Sequence, residues 1–215
     1  MNIFKAATKG DLGIALTFIK EGKIDINHTD ENGRTVLHYA ALTGNLEMVE
    51  TLIKFNAKID AKDNYNITPL WLTTIFCHTN VVIELLKYGA NPNSKNQMGN
   101  SILHIAASNN SLAIVKLLIE YGGDINAVNN FNWSVLHSAA FGIIIETETN
   151  WEVIEHLLKH NVNILVKDQD NNSVRDIFHQ EDYSYIKHYD NLVKELWGSN
   201  GKKISFSKVE FRGVR

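Results

Sequence analysis

The sequence has few of the residues that support covalent or metal-based stabilisation. Cys77 is the only cysteine among 215 residues, which excludes an intramolecular disulfide and a cysteine-based zinc site. The apolar run at 143–145 is far shorter than the roughly 18 residues that a membrane helix needs. Residues 1–5 lack a charged leader followed by an apolar stretch, so we expect no secretory signal peptide. These features favour a reducing compartment, and we expect a cytoplasmic location.

The chain also lacks a strong excess of either charge. Its 21 basic and 24 acidic side chains leave a net charge of −3, whereas a protein that binds nucleic acid by neutralising phosphates is usually strongly basic. Apolar residues make up 44% of the chain, which is ordinary for a folded protein. We therefore expect a folded chain that is monomeric on its own and binds neither nucleic acid nor membranes.

A short motif recurs at a constant interval. Four copies align without gaps, and their leucines stand 33 residues apart: 35–40 (TVLHYA), 68–73 (TPLWLT), 101–106 (SILHIA) and 134–139 (SVLHSA). A degenerate copy, 173–178 (SVRDIF), follows after 39 residues. A fixed period of this length is typical of stacked repeat proteins, in which one unit cannot bury its own apolar face.

The remainder of each unit predicts a second helix and two turns. Leu46, Val49 and Leu52 recur at helical spacing and share one face. Glycine or asparagine stands where each helix should stop and where each hairpin should turn, because both residues tolerate the left-handed conformation. The asparagines at these positions are Asn56, Asn66, Asn110, Asn132, Asn161 and Asn171.

The 33-residue period and its T-P-L-H-x-A core resemble the ankyrin-repeat family over roughly residues 1–190. The resemblance implies an all-α solenoid of stacked helix-turn-helix units with short β-hairpin loops. Arg175 and Asp176 replace the motif leucine and histidine, which indicates a C-terminal cap. The predicted division is an N-terminal cap 1–30, repeats near 31–63, 64–95, 96–128 and 129–167, a C-terminal cap 168–190, and a C-terminal helix and basic tail 191–215.

Two features leave alternatives open. The insertion at 142–150 either forms a loop on one face or lengthens the preceding helix and buries its isoleucines. The segment 202–215 carries five basic residues and one acidic residue, and forms a short strand, an apolar tail that folds back, or a disordered tail. We expect the cap's second helix near 182–188 and a separate amphipathic piece at 191–197.

The histidines do not indicate an active site. His38, His104 and His137 occur once per unit, and packed helices lie 8–10 Å apart, too far for ligands that must each lie about 2 Å from one zinc ion. The resemblance implies that they tie neighbouring turns together by hydrogen bonds. Cys77 and His78 are adjacent but stand at a helix end, and the chain contains no P-loop, H-E-x-x-H or G-x-S-x-G pattern. We predict no catalysis, no metal and no cofactor.

The resemblance implies that a partner protein docks on the hairpin tips and on the exposed side of the first helices, which line a concave surface. Aromatic side chains at these positions are typical interface anchors. An alternative is that some of the rings pack on neighbouring hairpins or on the insertion. The predicted partner-binding residues are Arg34, Leu42, Tyr65, Ile67, Ile75, Phe76, Met98, Phe131, Trp133 and Phe141.

The resemblance therefore implies a non-catalytic protein-protein interaction module that acts as an adaptor or effector. Similar proteins include host-directed effectors, which would be delivered into a host cell. The alternative is an inhibitor or immunity-type protein that occludes the active site of a partner enzyme. Both roles use the same fold, because specificity is determined by surface residues.

Replacing Leu103 by alanine should lower the free energy of unfolding by about 2–5 kcal/mol, because the motif leucine should lie between repeats and its loss leaves a cavity. Urea denaturation followed by circular dichroism measures this change. A loss below about 1 kcal/mol would show that the motif leucine lies outside the core.

Overall fold

The computed structural model describes residues 2–22, 25–145, 151–179 and 183–197. Within these ranges the regular elements are helices, and the hairpins contribute isolated antiparallel bridges, Lys95–Ser101 and Val128–Ser134. The predicted all-α fold class is therefore confirmed. The helices are α1 Ile3–Lys9, α2 Leu12–Lys20, α3 Val36–Leu42, α4 Leu46–Lys54, α5 Pro69–Ile75, α6 Thr79–Lys87, α7 Ile102–Ser108, α8 Leu112–Glu120, α9 Val135–Ile145, α10 Glu152–Lys159, α11 Val174–His179 and α12 Tyr183–Trp197.

The helices form two layers. The first helices of successive units pack in the order α1, α3, α5, α7, α9 and α11, and the second helices α4, α6, α8, α10 and α12 pack beside them in the same order. Each first helix also packs on the second helix of its own unit, as α3 does on α4. This arrangement is the predicted solenoid, because each unit's apolar face is covered by the next unit.

The core consists of residues at equivalent positions in successive units. The motif leucines Leu37, Leu70, Leu103 and Leu136 are all buried, as the repeat register predicted. On α4, α6 and α8 a valine and a leucine three residues apart are buried, and they are Val49 and Leu52, Val82 and Leu85, and Val115 and Leu118. The 3.6-residue period places both on the face towards the neighbouring helices.

Asparagine has a structural role at the turns. All six asparagines predicted at helix ends and hairpin turns adopt the left-handed conformation, with φ between 51° and 66°. Cys77 occupies the same kind of position with φ 54°, where its neighbours in register are Gly44 and Asn110. The abundance of asparagine in this chain, 25 residues, is therefore partly a requirement of its turns.

The C-terminal end differs from the expected pair of helical pieces. One continuous helix, α12, runs from Tyr183 to Trp197, and the indole Nε1–H of Trp197 donates to the Leu158 carbonyl at the end of α10. Arg175 is exposed and pairs with Asp190 of α12 at 2.9 Å. The apolar residues Ile186, Tyr189 and Leu196 are buried, so α12 covers the last units over its length. The predicted tail 202–215 lies outside the described residues.

The insertion lengthens the first helix of its unit. α9 has 11 residues whereas α3, α5 and α7 have seven, and Ile143 on its added turn is buried. Gly142 lies against the end of α7, where a Cβ atom would stand 2.4 Å from the Ser108 carbonyl oxygen. Of the two alternatives, the structure supports the longer helix up to Ile145, and residues 146–150 lie outside the described residues.

Gly142→Ala should lower the free energy of unfolding by about 1–3 kcal/mol, because the added Cβ atom overlaps the backbone of Ser108. Gly13→Ala is the matched control, since Gly13 also lies within a helix but its added Cβ would come no closer than 3.7 Å to another atom. Alanine should be neutral or stabilising at that position. Urea unfolding of both variants measures the difference, and equal stabilities would contradict the close approach of α9 to α7.

Candidate functional site

The three motif histidines are built into the scaffold. In each unit Nδ1 accepts a hydrogen bond from the backbone N–H of the preceding threonine or serine, at 3.0–3.2 Å, so the ring proton is on Nε2. That nitrogen donates to a carbonyl of the next unit, and the pairs are His38 with Ile67, His104 with Trp133, and His137 with Asn172, at 3.0–3.3 Å. The predicted structural role is confirmed.

Burial keeps these imidazoles neutral. Desolvation lowers the pKa of His38, His104 and His137, and the hydrogen bond that each gives to a carbonyl offsets this only in part. Protonation of Nδ1 would also place the new N–H against the backbone N–H whose hydrogen bond Nδ1 accepts in the neutral ring. A buried, neutral and fully hydrogen-bonded imidazole is a structural group with no free nitrogen for catalysis.

Cys77 and His78 do not form a thiol–imidazole pair in the part of the chain that the structure describes. The Nε2–H of His78 donates to the carbonyl of Leu42 at 3.1 Å, at the end of the first helix of the preceding unit. One unit further on, the side-chain amide of Asn109 donates to the equivalent carbonyl of Ile75 at 3.0 Å. Both side chains thus donate a hydrogen bond to a carbonyl at the C-terminus of a first helix, where the last carbonyls have no partner within the helix. Among the described residues there is also no group of three or more histidine, cysteine or acidic side chains that could hold a metal ion.

The hairpin tips are joined by a continuous hydrogen-bonded ladder. A backbone N–H of each unit donates to a tip carbonyl of the unit before it, and the pairs are Asn64 with Asn32 (2.9 Å), Gln97 with Tyr65 (3.3 Å), Asn130 with Met98 (3.0 Å) and Gln169 with Phe131 (3.2 Å). The side-chain amides of the same four donors add a second hydrogen bond to the preceding tip, at 2.6–3.1 Å. The tips are therefore fixed relative to one another.

The ladder places five equivalent side chains side by side. We call them the tip row, and they are Asn32, Tyr65, Met98, Phe131 and Asp170. Tyr65, Met98 and Phe131 at its centre are all exposed, Tyr65 by 60%. Exposed large apolar side chains in neighbouring units form a candidate docking surface.

The ten residues predicted to bind a partner fall into two groups. Six are exposed, and they are Tyr65, Ile75, Phe76, Met98, Phe131 and Phe141. The other four are half-buried and have contacts within the protein: Arg34, Leu42, Ile67 and Trp133. Tyr65, Met98 and Phe131 lie at equivalent positions of successive hairpin tips, and Ile75, Phe76 and Phe141 lie on or directly after the first helices α5 and α9.

The four half-buried residues pack within or between units. Arg34 Nε donates to the buried carboxylate of Asp63 at 3.2 Å. Ile67 packs against the core. The centre of the Trp133 ring lies 6.1 Å from that of His137 and 5.8 Å from that of Phe141. Trp133 therefore follows the alternative prediction, in which some of the aromatic rings pack on neighbouring side chains. Part of Trp133 still borders an open cleft.

That cleft lies between the last two hairpins. It has a volume of about 330 Å³ and is lined by Asn129, Phe131, Trp133, Asp168, Gln169 and Asp170. Burial acts to raise the pKa of Asp168, but hydrogen bonds from the Asn172 backbone and side chain and from Trp133 outweigh it and lower the pKa below its usual value. The carboxylate is therefore ionised at neutral pH.

The three cleft residues from the last hairpin, Asp168, Gln169 and Asp170, are absent from the predicted site. The degenerate motif at 173–178 obscured their register, because it follows after 39 residues and marks a cap. Counting back five residues from Ser173 gives Asp168, as counting back from Thr68 gives Asp63. The acidic residue at both positions is a signal that could have identified this hairpin.

Comparisons with known proteins agree with this architecture. A family model described as ankyrin repeats (3 copies) matches residues 3–96 and 77–170. The chain is 45% identical over 60 residues to palmitoyltransferase AKR1 of Lachancea kluyveri, a match that covers 28% of this chain and 8% of the relative. It is 39% identical over 62 residues to protein phosphatase 1 regulatory subunit 27 of Mus musculus, covering 29% and 40%. It is 35% identical over 74 residues to protein fem-1 homolog A-like of Mus musculus, covering 34% and 11%.

Each of these matches is shorter than the relative, and the chain spans less than half the length of any of the three. Among the described residues, no helix has the length and apolar character needed to cross a lipid bilayer.

Lowering the pH from 7.5 to 5 should reduce the free energy of unfolding. The motif histidines have lower pKa values in the folded state than the usual 6.5, so the unfolded chain binds more protons in acid. Above about pH 6.5 the free energy of unfolding keeps its full value. As the pH falls from the unfolded-state pKa towards the folded-state pKa of a motif histidine, the free energy of unfolding decreases by about 1.4 kcal/mol per histidine for each pH unit.

Urea titrations of the wild-type protein, His104→Gln and His28→Gln at several pH values test this dependence. The His104 variant should lose less stability on acidification, whereas exposed His28 is a control that should follow the wild type. His156, whose pKa burial and the neighbouring charge of His160 lower to about 4, contributes with the same sign in all three proteins. Identical slopes for the three proteins would contradict the neutral buried imidazole.

Proposed function

Since this chain belongs to the ankyrin-repeat family, we propose that it is a non-catalytic protein-binding module whose partner docks on the tip row and the adjoining first helices. The observation that carries the proposal is the row of large side chains exposed at equivalent positions of three neighbouring units, Tyr65, Met98 and Phe131. Ile75, Phe76 and Phe141 are also exposed, on or directly after the first helices α5 and α9. A partner that covers them would gain the free energy of burying apolar surface.

The rigidity of the tips supports the same function. Each tip is held to the next by a backbone and a side-chain hydrogen bond, as at Gln97, so the exposed side chains are presented on a fixed backbone. A surface that is already ordered loses less conformational entropy when a partner binds, and more of the contact energy then appears as affinity.

The composition of the tips favours an apolar contact over an acidic one. In the central three units the residues at the tips are amides, aromatics and aliphatics, as at Asn64, Tyr65 and Met98. An inhibitor that blocks a basic active-site cleft would be expected to present carboxylates there. We therefore place the adaptor or effector role ahead of the inhibitor role.

The relatives support a binding role without catalysis. The palmitoyltransferase of Lachancea kluyveri matches over 8% of its own length, so the similarity is to a short repeat segment of that enzyme. A phosphatase regulatory subunit matches a segment of comparable length, which is consistent with repeats that serve binding in different proteins.

The double variant Tyr65→Ala/Phe131→Ala should weaken partner binding at least tenfold, because it removes two exposed anchors of the tip row. The partner is captured from extracts of the source cells with the wild-type protein, identified by mass spectrometry and purified. Its Kd for each variant is then measured by calorimetry.

The matched control is Tyr88→Ala/Tyr121→Ala, which removes two other exposed rings, at the ends of the second helices α6 and α8. This control should keep the wild-type Kd within about twofold, and circular dichroism should show that both double variants are folded. A tip-row variant that binds as the wild type does, or a control that binds as weakly as the tip-row variant, would overturn the proposed surface.

A further inference from the structure

One pair of positions meets at several interfaces between units. The residue just before the motif threonine or serine lies beside the first residue of the next hairpin. Three such pairs are hydrogen-bonded: Arg34 Nε to Asp63 Oδ2 at 3.2 Å, Asn129 Nδ2 to Asn100 Oδ1 at 2.7 Å, and Trp133 Nε1 to Asp168 Oδ2 at 3.3 Å.

The first and last of these pairs have the same acid and different donors. Asp63 is buried and receives the guanidinium of Arg34. Asp168 is only half-buried, and the donor in register with Arg34 is the neutral indole N–H of Trp133. The protein thus contains a guanidinium–carboxylate pair at one interface, and at the other interface the equivalent carboxylate faces a neutral donor in place of the guanidinium.

Nearby cations do not replace the missing charge. Lys167 Nζ donates to the side chain of Asn171, and Lys95 Nζ donates to the Val128 carbonyl. Within the described ranges, neither Asp168 nor Asp170 has a cationic nitrogen within 4.0 Å. Two carboxylates therefore border the cleft without a positive partner.

The cleft also offers aromatic faces. Phe131 is half exposed, and Trp133 forms the adjoining wall. One side of the Trp133 ring faces His137, whose pKa burial lowers, so this neighbour is a neutral imidazole and not a cation. Aromatic faces attract cations, and a neighbouring carboxylate adds to the attraction.

We propose that this cleft binds an arginine side chain of the partner protein, whose guanidinium stacks on Phe131 and Trp133 and hydrogen bonds to Asp168 and Asp170. This inference rests on the proposed function and adds the chemistry of one contact. Arginine fits better than lysine because the guanidinium is planar, weakly hydrated and able to stack and to hydrogen bond at the same time. The Arg34–Asp63 pair shows that the acid at this position accepts a guanidinium.

The test uses N-acetyl-arginine N-methylamide as the probe. The protein is labelled with ¹⁵N, and the Trp133 indole Nε1–H resonance is identified as the one missing from Trp133→Phe. Addition of the probe should shift this resonance in a saturable way. The citrulline analogue, which has the same shape without the charge, should bind at least fivefold more weakly, and the lysine analogue should also bind more weakly than arginine.

The variant Asp168→Asn/Asp170→Asn should weaken the arginine probe roughly fivefold or more. Asparagine keeps the turn, because Asn96 and Asn129 occupy the Asp168 position in other units and accept the same backbone hydrogen bonds. Asp124→Asn is the matched control: it removes a carboxylate from a different turn where other units also use asparagine, and should leave the affinity unchanged.

The proposal would be overturned by the absence of a saturable shift of the Trp133 resonance, by citrulline binding equal to arginine, or by unchanged affinity in the Asp168/Asp170 variant. Lysine binding equal to arginine would also overturn it, because the site would then recognise charge alone. These results are distinct from failure of the proposed function, since the probe is a free amino-acid derivative. If binding of the partner depends on Tyr65 but not on Asp168, the proposed docking surface stands and only the proposed arginine contact is wrong.

Discussion

Each helix pair in this protein has an apolar face that only the next pair can cover, and the whole architecture depends on that constraint. Burial of Leu70 or Leu103 against neighbouring units requires the units to stack in one register. Once the register is fixed, every position meets its counterpart in the next unit. Hydrogen bonds between units then repeat at the same positions, including the tip ladder and the histidine contacts to the following carbonyl. Polar contacts do not drive the stacking, but they give it one geometry.

The same register explains how a uniform scaffold acquires a local site. A residue that hydrogen bonds to the next unit at one interface can be replaced by a different residue at another interface. The helices still stack, because the leucines and valines of the core remain. Arginine at position 34 neutralises the next acid, whereas tryptophan at position 133 leaves the next acid with a neutral donor. The exchange creates an aromatic wall beside an ionised carboxylate. The chemistry of the proposed site thus arises from differences between equivalent positions.

The 33-residue period and the motif's resemblance to ankyrin repeats were together sufficient to predict the fold and the buried leucines, and the turn positions within each unit predicted the left-handed asparagines, because these features depend on spacing and on backbone conformation. Exposure at the predicted surface was harder to predict. Tyr65 and Trp133 are both aromatic residues near hairpin tips, yet Trp133 packs against His137 and Phe141 and is half-buried, while Tyr65 remains exposed. His137 and Phe141 both belong to α9, the first helix of the unit that contains Trp133, so the contact depends on which side chains this one unit carries. The continuous α12 was missed for a similar reason, since it lies beyond the repeat and packs by tertiary contacts.

The cap shows how position in the stack determines chemistry. In the last unit Asp176 replaces the motif histidine, and its Oδ2 accepts hydrogen bonds from the backbone N–H and the hydroxyl of Ser173 at 2.8 and 2.6 Å. These are the bonds that Nδ1 of His104 accepts from Ser101. A carboxylate cannot donate a hydrogen bond as Nε2–H does, so Asp176 keeps the contacts to its own unit's serine but cannot make the contact to a following carbonyl. Histidine occupies this position in three units that another hairpin follows, Trp71 occupies it in one such unit, and aspartate occupies it in the last unit that the structure describes.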